Sequence, residues 1–273
     1  MEILVYDSMS ALRARLEKSS EPALMLMRGV VNDALRSDRV TVWAWDTYGG
    51  NEARRAIFPG YKNRPPSPSP VTAALGMLKE LLAFTPAFQI SQPGFEGDDL
   101  VAATVNRFRG QGHKITIITK DGDLSQLATT HDVTCTAKVL HRITGQAPVE
   151  IPPALVPLYK LTVGDKSDTI PGLHAFGPMA WDKCDKPGLA RFLDHMIEHR
   201  YPLMDSDETE ALAIGLSKAT IKWLSTQEGA DQLCAMKRII APLLMTDVQF
   251  NKALTRGVDN PQAREAILSR FQL

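Results

Sequence analysis

Nine carboxylates stand where they could act together. Asp7 closes the short apolar run Ile3-Leu4-Val5-Tyr6, and Asp46 closes Val40-Thr41-Val42-Trp43-Ala44-Trp45. Asp121 follows the run from Lys114 to Thr119 after one residue. Three denser motifs add to them: Phe95-Glu96-Gly97-Asp98-Asp99, Lys120-Asp121-Gly122-Asp123 and Gly164-Asp165-Lys166-Ser167-Asp168. A single Asp at a strand end is ordinarily a turn or cap residue. Glu96 and Asp99 lie three apart on one helical face, where capping accounts for one acid but not three. The conjunction is what needs explaining. Like charges about 4 Å apart repel by several kcal/mol at an effective dielectric of about 20, so acids gathered in one cleft must be protonated or neutralised by cations. Hard oxygen ligands without Cys or His favour magnesium or manganese. Two such ions suit in-line displacement at phosphorus.

The elements around these acids must bring them together. The three apolar runs read as buried strands, and helical stretches lie between them at residues 20–36, 70–84 and 97–109. That alternation predicts an α/β fold, a mostly parallel central sheet flanked by helices. The carboxyl ends of such strands share one edge, where ligands bind, so Asp7, Asp46 and Asp121 should converge there. From Ile151 the pattern turns helical, through residues 187–199, 207–224 and 229–245. We therefore expect an α/β domain over residues 1–150, with a helical region over 151–273 packed intimately on it. Residues 47–70 hold Gly49-Gly50, the basic residues Arg54, Arg55, Lys62 and Arg64, and a proline-rich run. By composition they read as a solvated loop with surface charges.

Bulk properties narrow the class. A chain of 273 residues, 44% hydrophobic and 23% charged, can bury a large core and matches ordinary globular proteins. Net charge is zero, from 31 basic and 31 acidic residues, whereas nucleic-acid binders are usually basic. Acid clustered in a site and base spread over a surface also sum to zero, so neutrality does not remove that class. No apolar run reaches the roughly 18–20 residues of a membrane span, and Asp7 breaks the N-terminus where a signal sequence would be apolar. Cys135, Cys184 and Cys234 are distant, odd in number and without zinc-ligand spacing. A reduced, cytoplasmic setting away from membranes follows as the expectation.

The motifs, taken in order over residues 1–180, resemble the structure-specific 5′-nuclease (flap endonuclease) superfamily. That superfamily includes the 5′-nuclease domain of bacterial DNA polymerase I and stand-alone bacteriophage 5′–3′ exonucleases. The resemblance is carried by the strand ending in Asp7, Trp45-Asp46, Tyr61-Lys62-Asn63-Arg64-Pro65-Pro66, Gly94-Phe95-Glu96-Gly97-Asp98-Asp99, Asp121-Gly122-Asp123, and the stretch from Gly164 to Gly172. It implies two ions, Mg2+ or Mn2+: the first surrounded by Asp7, Asp46, Glu96, Asp98, Asp99 and Asp121, the second held by Asp123, Asp165 and Asp168, with Asp121 bordering both. It implies that residues 47–70 form a helical arch passing single-stranded DNA. Lys62 at its base would contact the scissile phosphate, with Tyr61 and Arg64 as stacking and phosphate contacts. Arg13 matches the family's phosphate-binding arginine, one residue closer to Asp7 than usual, and Lys62 and Arg64 are also more tightly spaced than usual. The larger departure is Ala175-Phe176-Gly177-Pro178-Met179, where the helix–three-turn–helix usually reads Gly-x-Gly followed by a lysine. One glycine and the lysine are missing. That motif's duplex contact and K+ ion are therefore not carried over, and Lys183 and Lys186 are the nearest replacements.

The implied activity is that of a stand-alone 5′–3′ exonuclease or flap endonuclease, of phage or bacterial replication and repair, acting on DNA with a 5′ flap or free 5′ end. Two other readings compete. A branched-DNA binding protein could keep the fold without turnover, against which stands the complete set Asp123, Asp165 and Asp168. A ribonuclease of related acidic-site fold is opposed by the arch and the Gly172 region.

Overall fold

Buried β-branched and aromatic residues build the sheet first. In the computed structural model, which describes residues 1–18, 23–63 and 72–270, the chain begins β1 (Glu2–Asp7), α1 (Ser8–Lys18), α2 (Ala23–Ala34), β2 (Arg39–Ala44) and α3 (Glu52–Ile57). It continues α4 (Thr72–Leu82), β3 (Phe88–Ile90), α5 (Gly97–Phe108), β4 (Lys114–Ile118), β5 (Val133–Cys135), β6 (Leu140–His141) and β7 (Val149–Glu150). Helices follow: α6 (Val156–Val163), α7 (Pro178–Lys183), α8 (Lys186–His199), α9 (Glu208–Ile214), α10 (Lys218–Leu224) and α11 (Gln227–Ile240). The chain closes with α12 (Asp247–Ala253), β8 (Leu254–Arg256) and α13 (Pro261–Ser269). Among the described residues, no helix is long and apolar enough to cross a membrane.

Two compact units result. The first, residues 1–50, 65–138 and 242–273, holds a six-stranded sheet in the order β5-β4-β1-β2-β3-β8. All neighbours are parallel except β3 and β8. One face packs Val5, Val42 and Ile117 against Leu100 and Val105 of α5 and Phe250 of α12. The other packs Trp43 and Trp45 against Met27, Leu78 and Leu81. Strands covered on both faces carry near-continuous apolar runs, which is why β1, β2 and β4 were legible. Register aligns their ends: Tyr6 lies opposite both Trp43 and Ile118, and Asp7 opposite Ala44.

The second unit, residues 51–64 and 139–241, has its own core of Leu161, Leu173, Trp181, Leu189, Leu233 and Met236, with the two-stranded β6–β7 beside the helices. This division differs from a boundary at residue 150. Residues 242–270 return to the sheet, because β8 completes the β3 edge and Ile267 and Leu268 join its core. Residues 51–63 belong with the helices, where Arg54 donates to the carbonyls of Ile239 and Ala241. The expected helix over 207–224 is two helices: Gly215 ends α9 in a left-handed conformation at φ 103°, and Ser217 caps α10. The helix expected to reach residue 245 stops at Ile240, two residues before Pro242.

Candidate active site

In the sheet unit, the aspartates at the strand ends are tied by neutral hydrogen bonds. Asp7 is 5% exposed. Its Oδ2 accepts from Thr119 Oγ1 at 2.8 Å and its Oδ1 from the Ser10 amide at 3.2 Å. Thr119 Oγ1 in turn accepts from the Asp121 amide at 2.9 Å, so one hydroxyl links two of the acids. Asp121 caps a 3-10 turn, accepting from the Asp123 amide at 2.9 Å. Asp46 lies two residues beyond β2, and its Oδ1 accepts from the Gly97 amide at 2.5 Å, at the start of α5. A Cβ at Gly97 would stand 3.0 Å from that oxygen, so glycine admits the carboxylate to the helix N-terminus, where backbone donors and the helix dipole favour an anion. Burial pushes the Asp7 carboxyl up to about 6; the bonds from Thr119 and Ser10 oppose this, and the charges of Asp46 and Asp121 add to it. Ionising Asp7 here costs more than in water, a cost that a bound cation would offset. With an all-oxygen donor set, the residues fit a hard divalent metal.

The acids at the start of α5 divide their work. Asp99 is 0% exposed, its Oδ2 accepting from the Glu96 amide at 3.0 Å and its Oδ1 from the Leu243 amide at 2.7 Å. With Glu96 it forms a reciprocal capping box. Its carboxylate satisfies buried backbone donors, and we assign Asp99 to capping instead of coordination. Asp98 is partly exposed on the first turn of α5, and Arg13 is partly exposed on α1.

In the helical unit, the turn after α6 folds Asp165 and Asp168 toward the helix. Asp165 and Ile170 exchange backbone hydrogen bonds, both 2.8 Å. Gly172 permits this at φ 76°, since a Cβ there would fall 2.6 Å from the Thr162 carbonyl oxygen. Asp165 Oδ1 accepts from Ser167, amide and hydroxyl, at 2.7 and 2.5 Å. Lys160 Nζ reaches Oδ2 of Asp165 and Oδ2 of Asp168, both at 3.0 Å. Burial opposes the charged form of Asp165, but Lys160 and Ser167 outweigh it and hold its carboxyl down at about 2. Lys62 has φ 44°. Its amide donates to the Asp168 carbonyl at 3.1 Å, and its Nζ lies 3.7 Å from Asp168 Oδ1.

The 5′–3′ exonuclease N-terminal, resolvase-like domain family matches residues 10–150, just over half the chain. The chain belongs to this exonuclease family. Among its relatives, a 5′–3′ exonuclease of Aquifex aeolicus is 30% identical over 129 residues, 46% of this chain and 45% of that protein. The thermostable DNA polymerase I of Thermus thermophilus is 27% identical over 175 residues, 60% of this chain and 20% of that one. The chain thus spans less than half the length of these relatives. The fold is that of T5 5′-exonuclease: a structure with divalent metal ions (zinc) bound to it gives a TM-score of 0.52 at 15% identity, covering 100% of this chain and 98% of that one. The K83A mutant of the same protein gives 0.51, also at 15% identity, covering 99% and 98%.

Within this family frame, one expected DNA contact and one expected surface charge change character. Tyr61 is 3% exposed and packed in the helical unit's core, with the cations of Arg54 and Lys62 5.8 and 5.2 Å from its ring centroid. A ring so enclosed has no face for a base, so the stacking expected of it gives way to core packing. Arg54, expected at the surface, is 3% exposed and bonded to backbone. Arg64 and the rest of the arch expected up to residue 70 lie outside the described residues. Two residues escaped the sequence reading. Thr119 ends its apolar run two residues before Asp121, where a hydroxyl could have signalled a bond back to the acid. Lys160 is the one charge inside the apolar helix Val-Pro-Leu-Tyr-Lys-Leu-Thr-Val, one helical turn before the glycine.

Proposed function

We propose that this protein hydrolyses DNA phosphodiesters at or near 5′ ends, as a magnesium- or manganese-dependent 5′–3′ exonuclease and flap endonuclease. The observation that carries this reading is the junction of Asp7, Asp46 and Asp121 at aligned strand ends in a member of an exonuclease family, with the Asp7 carboxyl raised by burial and by its acidic neighbours. Asp7, Asp46, Glu96, Asp98, Asp121 and Asp123 of the sheet unit, and Asp165 and Asp168 of the helical unit, are the ligands we assign to two ions. Divalent ions, when bound, polarise the phosphoryl group, activate water and stabilise the leaving oxygen. The chain's own residues orient and steer. Thr119 holds the Asp7 carboxylate and the Asp121 backbone amide together, Lys62 presents an ammonium to the scissile phosphate, and Arg13 and Arg64 contact neighbouring phosphates.

The test is a labelled 5′-flap DNA incubated with the protein and Mg2+ or Mn2+, then with excess chelator. Cleavage is expected with metal and none with chelator; undiminished cutting in chelator would sink the reading. Asp168→Asn should retain DNA affinity while slowing cleavage by orders of magnitude, as for a group that acts mainly in the transition state.

A further inference from the structure

Lysine is among the residues least often buried without a partner, yet Lys160 is 5% exposed on α6. Its ammonium bridges two carboxylates at equal distance, 3.0 Å to Asp165 Oδ2 and 3.0 Å to Asp168 Oδ2. The other oxygens are engaged as well, Asp165 Oδ1 by Ser167 and Asp168 Oδ1 by the Lys62 ammonium at 3.7 Å. A cation shared by two carboxylates is the arrangement a divalent ion would make with the same oxygens. Lys160 holds that position from within the fold, because α6 and the Gly164 turn set it beneath the two acids.

We infer that Lys160 is a resident cation of the Asp165–Asp168 pair: it keeps the two carboxylates ordered and balanced in the metal-free protein, and an arriving divalent ion must displace its ammonium or share the oxygens with it. The inference rests on the assignment of Asp165 and Asp168 as metal ligands. It makes Lys160 a positioning residue that weakens metal binding at this pair. A positive charge a few ångströms from a doubly charged ion is strongly repelled at interior dielectrics, so removing it should tighten metal binding even as it destabilises the metal-free protein.

Lys160→Met keeps an unbranched, flexible side chain and removes its charge; Lys160→Gln removes the charge while keeping a donor, should the Met variant not fold. Mn2+ binding to the full chain without DNA is followed by electron paramagnetic resonance, and melting temperature is recorded with and without Mn2+. The variants should melt lower than wild type without metal, gain more on adding Mn2+, and bind Mn2+ at this pair at least about tenfold more tightly. Asp168→Asn in the Lys160 variant should remove that gain. A lower melting temperature with an unchanged Mn2+ titration would make Lys160 a structural clip and overturn the inference, as would weaker Mn2+ binding. Wild type and Asp168→Asn with identical Mn2+ titrations would remove the metal assignment itself, and the inference with it.

Discussion

At the sheet edge, Asp7 is buried beside Asp46 and Asp121, held by a hydroxyl and an amide, and its proton is hard to remove. After α6, Asp165 has an ammonium 3.0 Å away and a serine on its other oxygen, and its proton is hard to retain. The two groups of acids share residue type and a turn-like sequence context, yet their chemistry runs in opposite directions. Partner identity makes the difference. Neutral donors orient a carboxylate without cancelling its repulsion from other carboxylates, whereas a buried ammonium does both. Asp7 in the sheet unit is therefore held by neutral donors, whereas the pair in the helical unit is balanced in part by a lysine of the same unit.

The largest expected effect tests this contrast through pH. The folded-state value of Asp7, about 6, is above its ordinary 3.8, so the fold favours its protonated form. The associated stability is full below about pH 4 and lost as pH rises through about 6, a loss of roughly 3 kcal/mol. In chelator, Asp7→Asn should therefore be more stable than wild type near pH 7 by up to that amount, and equal to it near pH 4, by urea unfolding. Parallel pH profiles for the two proteins would show that Asp7 is not the source. Asp165 carries the opposite sign: its contribution is present above about pH 4 and is lost as pH falls through about 2.

Next in size is Lys62→Ala, which removes the ammonium beside Asp168. Single-turnover cleavage of flap DNA should slow by roughly 100-fold, the scale of one lost transition-state contact. An unchanged rate would leave Lys62 as a partner of Asp168 only. Arg54→Ala then separates buried from surface charge: it should cost about 1–3 kcal/mol by stranding the Ile239 carbonyl. Unchanged unfolding with only a shallower salt dependence of DNA binding would return Arg54 to the surface.

The smallest effect concerns the departure in the helix–three-turn–helix. Ala175 stands where the family pattern has glycine and adopts φ 54°, a left-handed conformation that a Cβ disfavours by roughly 1–2 kcal/mol. Ala175→Gly should stabilise the protein by up to about 1 kcal/mol, and no rise in its unfolding midpoint would mean the strain is absorbed elsewhere.

Local pattern carried much of this protein. The apolar runs through Ile3, Val42 and Ile117 announced strands buried on both faces, and a parallel sheet then obliged Asp7, Asp46 and Asp121 to share an edge. Asp165 and Asp168 were legible because a glycine-bounded turn holds them three apart. Other features depended on residues far away in the chain. β8 pairs with β3 across more than 160 positions, a short strand with no periodicity to announce it. Asp99 differs from Asp98 by one position, but Leu243, over 140 residues on, supplies the amide that commits it to capping. Arg54 and Tyr61 look like surface charge and stacking platform until the carbonyl of Ile239 and the helical core enclose them. Sequence reports periodicity and turn chemistry, which are local. Whether a polar group is buried, and against what, is a property of contacts between distant segments, and tertiary structure alone decided which acids are balanced by Lys160 and which are held by neutral donors.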